Sequence, residues 1–256
     1  MSLNIFFWTH TAAGLTPLLE QVLSAADIVV LEEAASTPFL SRLESVFNDV
    51  SHGRRKPELA MSVIPDWREV YSSLLRKIYG TRKKIVLERA SLTPNDINTM
   101  YKLELSRCPN LDEALKEYGN SLRRRGEYQR KRDRGFAQQL ADLAQSNPSA
   151  NIPVIRGSAH KRGLESFLES KGIVPMCHVS HTRMLGLESE IVSKLEVGEE
   201  PSETELLMSM YERLLIGRCG LDPQNPDLEK LARIEDLVLG MSNEDLRKAL
   251  AEPKKS

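Results

Sequence analysis

The sequence predicts an α/β fold: a parallel-rich sheet built from strand–helix–strand (βαβ) units, with a helical insertion over the carboxyl edge of the strands and a helical C-terminal tail. Three observations predict it. Short apolar runs typical of strands buried on both faces recur along residues 1–182, helical periodicity separates them, and the remaining residues are largely helical in pattern. A chain of 256 residues with 41% hydrophobic side chains can bury such a core.

The first βαβ unit lies near the N-terminus. The strand candidate LNIFFW, residues 3–8, is followed by a helical pattern over 15–26 and by the strand candidate DIVVLEE, residues 27–33. Because crossover helices join parallel strands, we expect the two strands to be parallel neighbours. The rest of this region supplies helical stretches at 38–50 and 66–79 and a third strand, KKIVLE, at 83–88.

The insertion, residues 91–147, is helical in pattern throughout. Thr93 is a favourable helix cap and Pro94 suits the first helical position. A second, much longer helical pattern then covers residues 111–145. We expect these helices to lie over the edge at which the strands end.

A second βαβ unit follows the insertion. Its strand candidates are IPVIRG at 152–157 and IVPMCHV at 173–179, with a helix over 159–172 between them. Residues 1–182 are therefore assigned to one α/β core that carries the insertion.

The tail, residues 183–256, is amphipathic and helical. Ser202 and Glu205 have the spacing of a capping box. Helices are predicted at 203–217, 226–239 and 243–251. They either pack on the core or form a homodimer interface, and the sequence leaves both arrangements open.

Overall charge and hydropathy argue against two classes of partner. The net charge of −1 gives no attraction for nucleic acid or for an anionic membrane. No apolar run approaches the roughly 18 residues that a membrane span needs, and the N-terminus lacks a basic leader. We expect a cytoplasmic protein that binds neither membrane nor nucleic acid.

Ionisable residues fall at the carboxyl ends of the strand candidates. These ends meet at one edge of a parallel sheet, where ligands usually bind. The residues are His10 after the first strand, Glu32 and Glu33 in the second, Glu88 in the third, His160 after the fourth, and His178 and His181 at the fifth. Four of the five histidines are thus predicted at one edge.

The residue types at this edge suit two kinds of chemistry. His10 and His160, with a carboxylate, can bind a divalent metal such as Mn²⁺, Co²⁺ or Zn²⁺ and leave a position for water. Without metal, the same groups can serve as base and acid at a carbonyl. Glu32 and Glu33 point to opposite sides of a strand, so only one faces the crevice, and the sequence does not decide which.

Each of these residues also has a structural explanation. His160 could simply bond a helix end, Glu88 could pair with Arg89, and Gly157 could serve only a tight turn. The basic segment 123–135 is either a solvated helix face or a source of arginines that bind an anionic group in the crevice. A nucleic-acid patch there would need flanking aromatic residues and a basic domain.

Two segments resemble a known superfamily. RDRGFAQQLADLAQ, residues 132–145, is similar to its Arg-Asp-x-x-Met-Ala helix, and residues 152–173 are similar to its Gly-x-x-His segment, with Gly157 and His160 in those positions. The N-terminal layout, with a histidine at His10 and a carboxylate in the next strand, is similar too. The superfamily includes TraB, Tiki, ChaN-like haem/iron proteins and erythromycin-esterase-like proteins.

The resemblance implies one converged site. His10, Glu32 or Glu33, Arg132 and His160 would meet at the crevice. Superfamily activities include ester hydrolysis, metal-dependent peptide cleavage and haem or iron binding, so the resemblance predicts a site more firmly than a substrate. The sequence departs from the family pattern at Phe7, where the first Gly-x-x-His would have glycine.

The leading hypothesis is therefore a hydrolase acting on an ester or peptide carbonyl of a small-molecule or peptide substrate. The histidines and a glutamate would hold a metal or activate water directly, and Arg132 would stabilise the oxyanion. The predicted substrate-binding residues are Gly157, Glu88, His178 and His181. Two alternatives stay open: a non-catalytic relative that binds a small ligand or metal, and an interaction protein that dimerises through its tail helices.

Overall fold

The computed structural model describes residues 2–8, 16–32, 37–62, 68–89, 99, 102–179, 186–221 and 227–251. The chain forms two compact units. Unit 1 combines Met1–Pro94 with Lys131–Thr182, and unit 2 combines Asn95–Arg130 with Arg183–Ser256. The helical insertion is therefore shared between the units and does not belong to the α/β core alone.

Unit 1 is an α/β fold around a five-stranded sheet in which every pair of strands is parallel. The strands are β1 (Ser2–Trp8), β2 (Ile28–Leu31), β3 (Lys84–Leu87), β4 (Asn151–Gly157) and β5 (Met176–Val179). Their order across the sheet is β3-β2-β4-β1-β5. The predicted fold class, a parallel sheet accompanied by a long helix and C-terminal helices, is confirmed.

The predicted adjacency of the strands within each βαβ unit is wrong. Strand β4 lies between β1 and β2, and β1 lies between β4 and β5. All of β1 pairs with β4, from Ser2 with Asn151 to Trp8 with Gly157. This pairing joins distant parts of the chain, so the local pattern could not reveal it. As a result, the end of β4 lies directly beside the end of β2.

Helices cover both faces of the sheet. Leu23, Phe47 and Leu75 pack on one face, and Phe136 and Leu164 pack on the other, which explains the near-continuous apolar strands. The helices of unit 1 are α1 (Pro17–Ser24), α2 (Thr37–Ser51), α3 (Pro57–Met61), α4 (Arg68–Ile78), the second part of α5 (Leu111–Ser146) and α6 (Lys161–Glu169).

Unit 2 is helical throughout its described residues. It contains the first part of α5, a 3₁₀ turn at Leu105–Arg107, and helices α7 (Leu187–Glu196), α8 (Glu203–Arg218), α9 (Leu228–Leu239) and α10 (Asn243–Ala251). Helix α7 is absent from the sequence-based prediction. Ser202 and Glu205 form the predicted capping box. The predicted helix start at Thr93 and Pro94 lies outside the described residues.

Gly126 explains how α5 and α7 approach each other in unit 2. A Cβ atom at this position would lie 2.6 Å from Leu195 Cβ, a distance that side chains do not tolerate. In the described part of the chain, no helix combines the length and apolar character required to cross a bilayer.

Candidate functional site

Six ionisable side chains gather at the carboxyl edge of the sheet in unit 1. This charge cluster consists of Glu32, Glu88, Arg132, Asp133, Arg156 and His160. Glu88, Asp133 and Arg156 have no exposed side-chain surface, so they form the floor. Glu32, Arg132 and His160 expose 13%, 9% and 10% of their side chains, so they form the mouth.

Glu32 follows β2 and is fixed by the neighbouring strand β4. Its backbone N–H donates to the Ile155 carbonyl at 3.0 Å. Its carboxylate Oε2 accepts the backbone N–H of Gly157 at 2.5 Å. Gly157 therefore contributes a backbone donor to the cluster, and it is the inserted strand β4 that brings this donor to Glu32.

Arg132 connects the mouth to the floor. Its Nε and Nη2 donate to the two oxygens of Glu88 at 2.7 and 2.6 Å, a bidentate geometry. Nη2 also donates to Glu32 Oε1 at 3.0 Å. Its Nη1 has no acceptor among the residues that the structure describes, so these N–H groups are available to a ligand.

Arg156 and Asp133 complete the floor, and sequence reasoning missed both. Arg156 Nη1 donates to Glu88 Oε2 at 2.7 Å, Nη2 donates to Asp133 Oδ1, and the guanidinium lies 4.3 Å from the Phe136 ring centroid. Two signals were present in the sequence: an arginine inside an apolar strand, and an aspartate directly after Arg132. Buried charges need such partners.

His160 ends a 3₁₀ turn that follows β4, and both of its ring nitrogens face carboxylates. Nδ1 lies 2.9 Å from Asp133 Oδ2, and Nε2 lies 3.2 Å from Glu32 Oε1. Burial and the nearby Arg156 favour the neutral ring. The carboxylates of Asp133 and Glu32 outweigh both and raise the pKa of His160 above its usual 6.5.

The same balance of forces governs Glu32. Burial opposes its ionisation, but the positive charges of His160 and Arg132 hold the pKa of its carboxyl well below the usual 4.5. Burial likewise opposes charge on both arginines, and the carboxylates beside them raise their pKa values. With His160 protonated, three positive and three negative side chains balance within the cluster.

The structure brings together Glu32, Glu88, Arg132, Gly157 and His160 from the predicted site residues. Three other predicted residues, His10, Glu33 and His181, lie outside the described residues, so the choice between the two glutamates stays open.

His178 is not brought to the charge cluster. Its ring stacks on Phe6 at 4.6 Å, and its Nε2 lies 3.4 Å from Asn4 Oδ1. Phe6 belongs to the core on one face of the sheet, whereas Phe136, under Arg156, belongs to the core on the other. His178 thus lies on edge strand β5, and its side chain is on the face of the sheet opposite to that of Arg156, because side chains alternate along a strand.

The arginines of segment 123–135 mostly serve structure. In unit 2, Arg123 pairs with Glu200 at 3.1 Å, Arg125 pairs with Glu188, and Arg130 donates to the Leu195 and Glu196 carbonyls at 2.5 Å. In unit 1, Arg132 belongs to the charge cluster. The prediction that an arginine of this segment binds an anionic group of a ligand stays a prediction.

The described donors do not fit a divalent metal. No group of three His, Cys, Asp or Glu side chains suited to hold one occurs in the described ranges. His160 faces a carboxylate at each ring nitrogen, Asp133 at 2.9 Å and Glu32 at 3.2 Å. The metal site predicted from His10 and His160 stays a prediction, since His10 is not described.

No protein-family model, curated protein or solved structure matches this chain. The resemblance to the TraB and erythromycin-esterase-like superfamily therefore rests on the sequence segments alone.

Proposed function

We propose that unit 1 hydrolyses an ester or peptide carbonyl at the charge cluster, as a divergent relative of the TraB and erythromycin-esterase-like superfamily. One observation carries the proposal. The His160 ring is held by Asp133 on one side and touches Glu32 on the other, while Arg132 Nη1 at the same mouth has no acceptor among the residues that the structure describes. Base, acid and oxyanion donor are the groups that acyl transfer to water needs.

The ionisation states assign the roles. Glu32 is a carboxylate and takes a proton from the attacking water, whose oxygen bonds to the carbonyl carbon. Arg132 Nη1 donates to the oxygen that becomes negative. His160, an imidazolium, gives its Nε2 proton to the leaving oxygen or nitrogen as that bond breaks. Glu32 then returns its proton to His160 across the 3.2 Å contact, which restores both groups.

A carboxylate with a lowered pKa is a weak base, so without substrate Glu32 accepts a proton from water only weakly. A bound substrate whose leaving group accepts a hydrogen bond from His160 Nε2 takes that nitrogen away from Glu32, while Arg132 Nη2 keeps its bond to Glu32. This change raises the basicity of the carboxylate when the substrate arrives. Asp133 keeps the imidazole ring in place while Nε2 exchanges partners.

The test is a panel of p-nitrophenyl esters and reporter peptides, assayed with and without Mn²⁺, Co²⁺ or Zn²⁺. For a substrate that the full chain turns over, we expect His160→Gln to lower kcat/KM by at least about a hundredfold, the usual range for general acid–base groups. Glu32→Gln should do the same. The matched control is His52→Gln, an exposed histidine of the same unit.

The melting temperature separates catalysis from folding. His160→Gln should lower it by no more than a few degrees, or roughly 1–2 kcal/mol. Two results would contradict the proposal: no turnover of any ester or peptide by the wild type, or turnover that the His160→Gln and Glu32→Gln variants retain.

A second function, binding of a small ligand without turnover, is supported by the balanced charge of the cluster. Three anions and three cations that neutralise one another fit a static network of ion pairs as well as they fit a catalytic site. This alternative predicts that His160→Gln weakens ligand binding, measured by calorimetry, while every substrate of the panel stays intact.

A further inference from the structure

A group of cations lies at the edge of unit 1 where the strands begin, opposite the charge cluster. Segments 52–58 and 76–84 contain eight Lys and Arg residues and one Glu, although the whole chain has a net charge of −1. We define the basic patch by these eight cations: Arg54, Arg55, Lys56, Arg76, Lys77, Arg82, Lys83 and Lys84. The average charge of the chain conceals this surface.

The two segments lie side by side because the backbone joins them. The Gly80 N–H donates to the Val50 carbonyl at 3.2 Å, and the Arg82 N–H donates to the Ser51 carbonyl at 2.8 Å. The Ser51 hydroxyl donates to the Lys83 carbonyl at 2.6 Å. The cations of both segments therefore belong to one surface.

Most of the basic patch has no acidic partner. Arg54 pairs with Asp49 at 2.8 Å, Lys77 pairs with Glu20 at 3.4 Å, and Lys83 donates to backbone carbonyls. The remaining five make no ion pair with any residue in the described part of the chain, and all but Arg55 are exposed. These five are Arg55, Lys56, Arg76, Arg82 and Lys84.

Helix ends do not account for so many cations. Helices α2 and α4 end at Ser51 and Ile78, next to the patch, and helix C-termini attract positive charge. Each C-terminus is equivalent to about half a negative charge, so together they offset about one cation. Five unpaired cations exceed this need and must repel one another in the absence of an anionic partner.

We propose that the basic patch binds single-stranded nucleic acid. Tyr79, 44% exposed, and the exposed His52 are interleaved with the cations, and base stacking on such rings is the usual mode of single-strand binding. A membrane fits less well because surface binding needs a broad apolar face. Of the two apolar side chains in segment 76–84, Ile78 is buried and only Tyr79 is exposed.

The backbone conformation of Arg82 indicates that the cation at this position has a function. Its φ of 58° is in the left-handed region, where the other described residues with positive φ are all glycines. A non-glycine residue seldom adopts this conformation. Here it retains an exposed arginine within the patch, at a position where glycine would carry less strain.

Fluorescence anisotropy of the full chain with labelled oligothymidine and oligouridine of about 15 nucleotides tests the proposal. A single strand contributes about 0.7 to the salt slope per phosphate neutralised, so five cations predict a slope of log affinity against log salt near −3.5. The double variant Arg82→Gln/Lys84→Gln should reduce the slope by about 1.4. Tyr79→Ala should weaken binding roughly tenfold, and Tyr79→Phe should retain it.

The matched control is Arg218→Gln/Lys248→Gln, which removes two exposed cations of unit 2 that lack ion pairs among the described residues. It should leave both affinity and slope unchanged. The proposal is overturned if neither oligonucleotide binds at low salt, if the control weakens binding as much as the patch variant, or if only phosphatidylserine vesicles bind in a way that depends on the patch.

Discussion

Two buried glutamates of this protein, one in each unit, show that the partners and not the burial decide the charge. Glu32 and Glu212 are both largely buried and both accept a backbone N–H, from Gly157 and from Leu187. Beside His160 and other cations, the pKa of Glu32 is well below its usual range despite burial. In unit 2, burial first, and then nearby carboxylates, raise the pKa of Glu212 to about 7.

The pKa values of Glu32 and Glu212 differ because the charges around the two carboxyls differ. In the charge cluster, each buried carboxylate has an arginine or His160 as its partner. Burial and the charges of Glu235, Glu188 and Glu190 all disfavour ionisation of Glu212, so it carries a proton until the pH is near neutral. Burial without a cationic partner therefore favours the neutral form of Glu212.

The largest expected effect comes from removing a cation from the floor of the cluster. Arg156→Met leaves Glu88 and Asp133 buried without one of their partners, and loss of one member of a buried ion pair costs about 3–5 kcal/mol. The free energy of unfolding in urea should fall by this amount.

The control for this change is Arg54→Met, which breaks an ion pair whose arginine side chain is 60% exposed. The loss there should stay below about 1 kcal/mol. If both variants lost the same free energy of unfolding, the buried ion pairs of the floor would stabilise the fold no more than an exposed ion pair does.

A smaller effect is expected from Glu212, and it has a defined sign. The folded state binds this proton more tightly than the unfolded state, so stability is full below pH 4.5 and declines as the pH rises to about 7. The decline amounts to about 3 kcal/mol at most. Glu212→Gln should remove this part of the pH dependence, measured by urea unfolding across the range.

Glu244→Gln is the matched control, since Glu244 is an exposed glutamate of unit 2 that lies on α10. It should change the pH profile little. A Glu212→Gln profile that still falls as steeply as the wild-type profile would assign the pH dependence to other groups.

The sequence predicted the elements of the fold well because strands and helices are local patterns. Strand β4 shows the limit: its residues were identified, but its position between β1 and β2 is set by hydrogen bonds between distant segments. The composition did not reveal the basic patch, because the net charge of −1 is a sum over the whole chain and hides local groups of cations.

Of the charge cluster, the sequence suggested the mouth and Glu88 of the floor, but not Asp133 or Arg156. Glu32 and His160 follow strands, which marks them as edge residues. Arg156 lies within an apolar strand and Asp133 within a long charged helix, so neither position suggests a buried ion pair until the sheet and helix are packed together. The tertiary structure determines which groups pair with a buried charge.

The roles proposed for the charge cluster depend on Asp133 and Glu32 raising the pKa of His160. A ¹⁵N NMR titration of its imidazole measures this directly. We expect a midpoint above 6.5 that falls in Glu32→Gln. A midpoint at or below 6.5, unchanged by that substitution, would contradict the account.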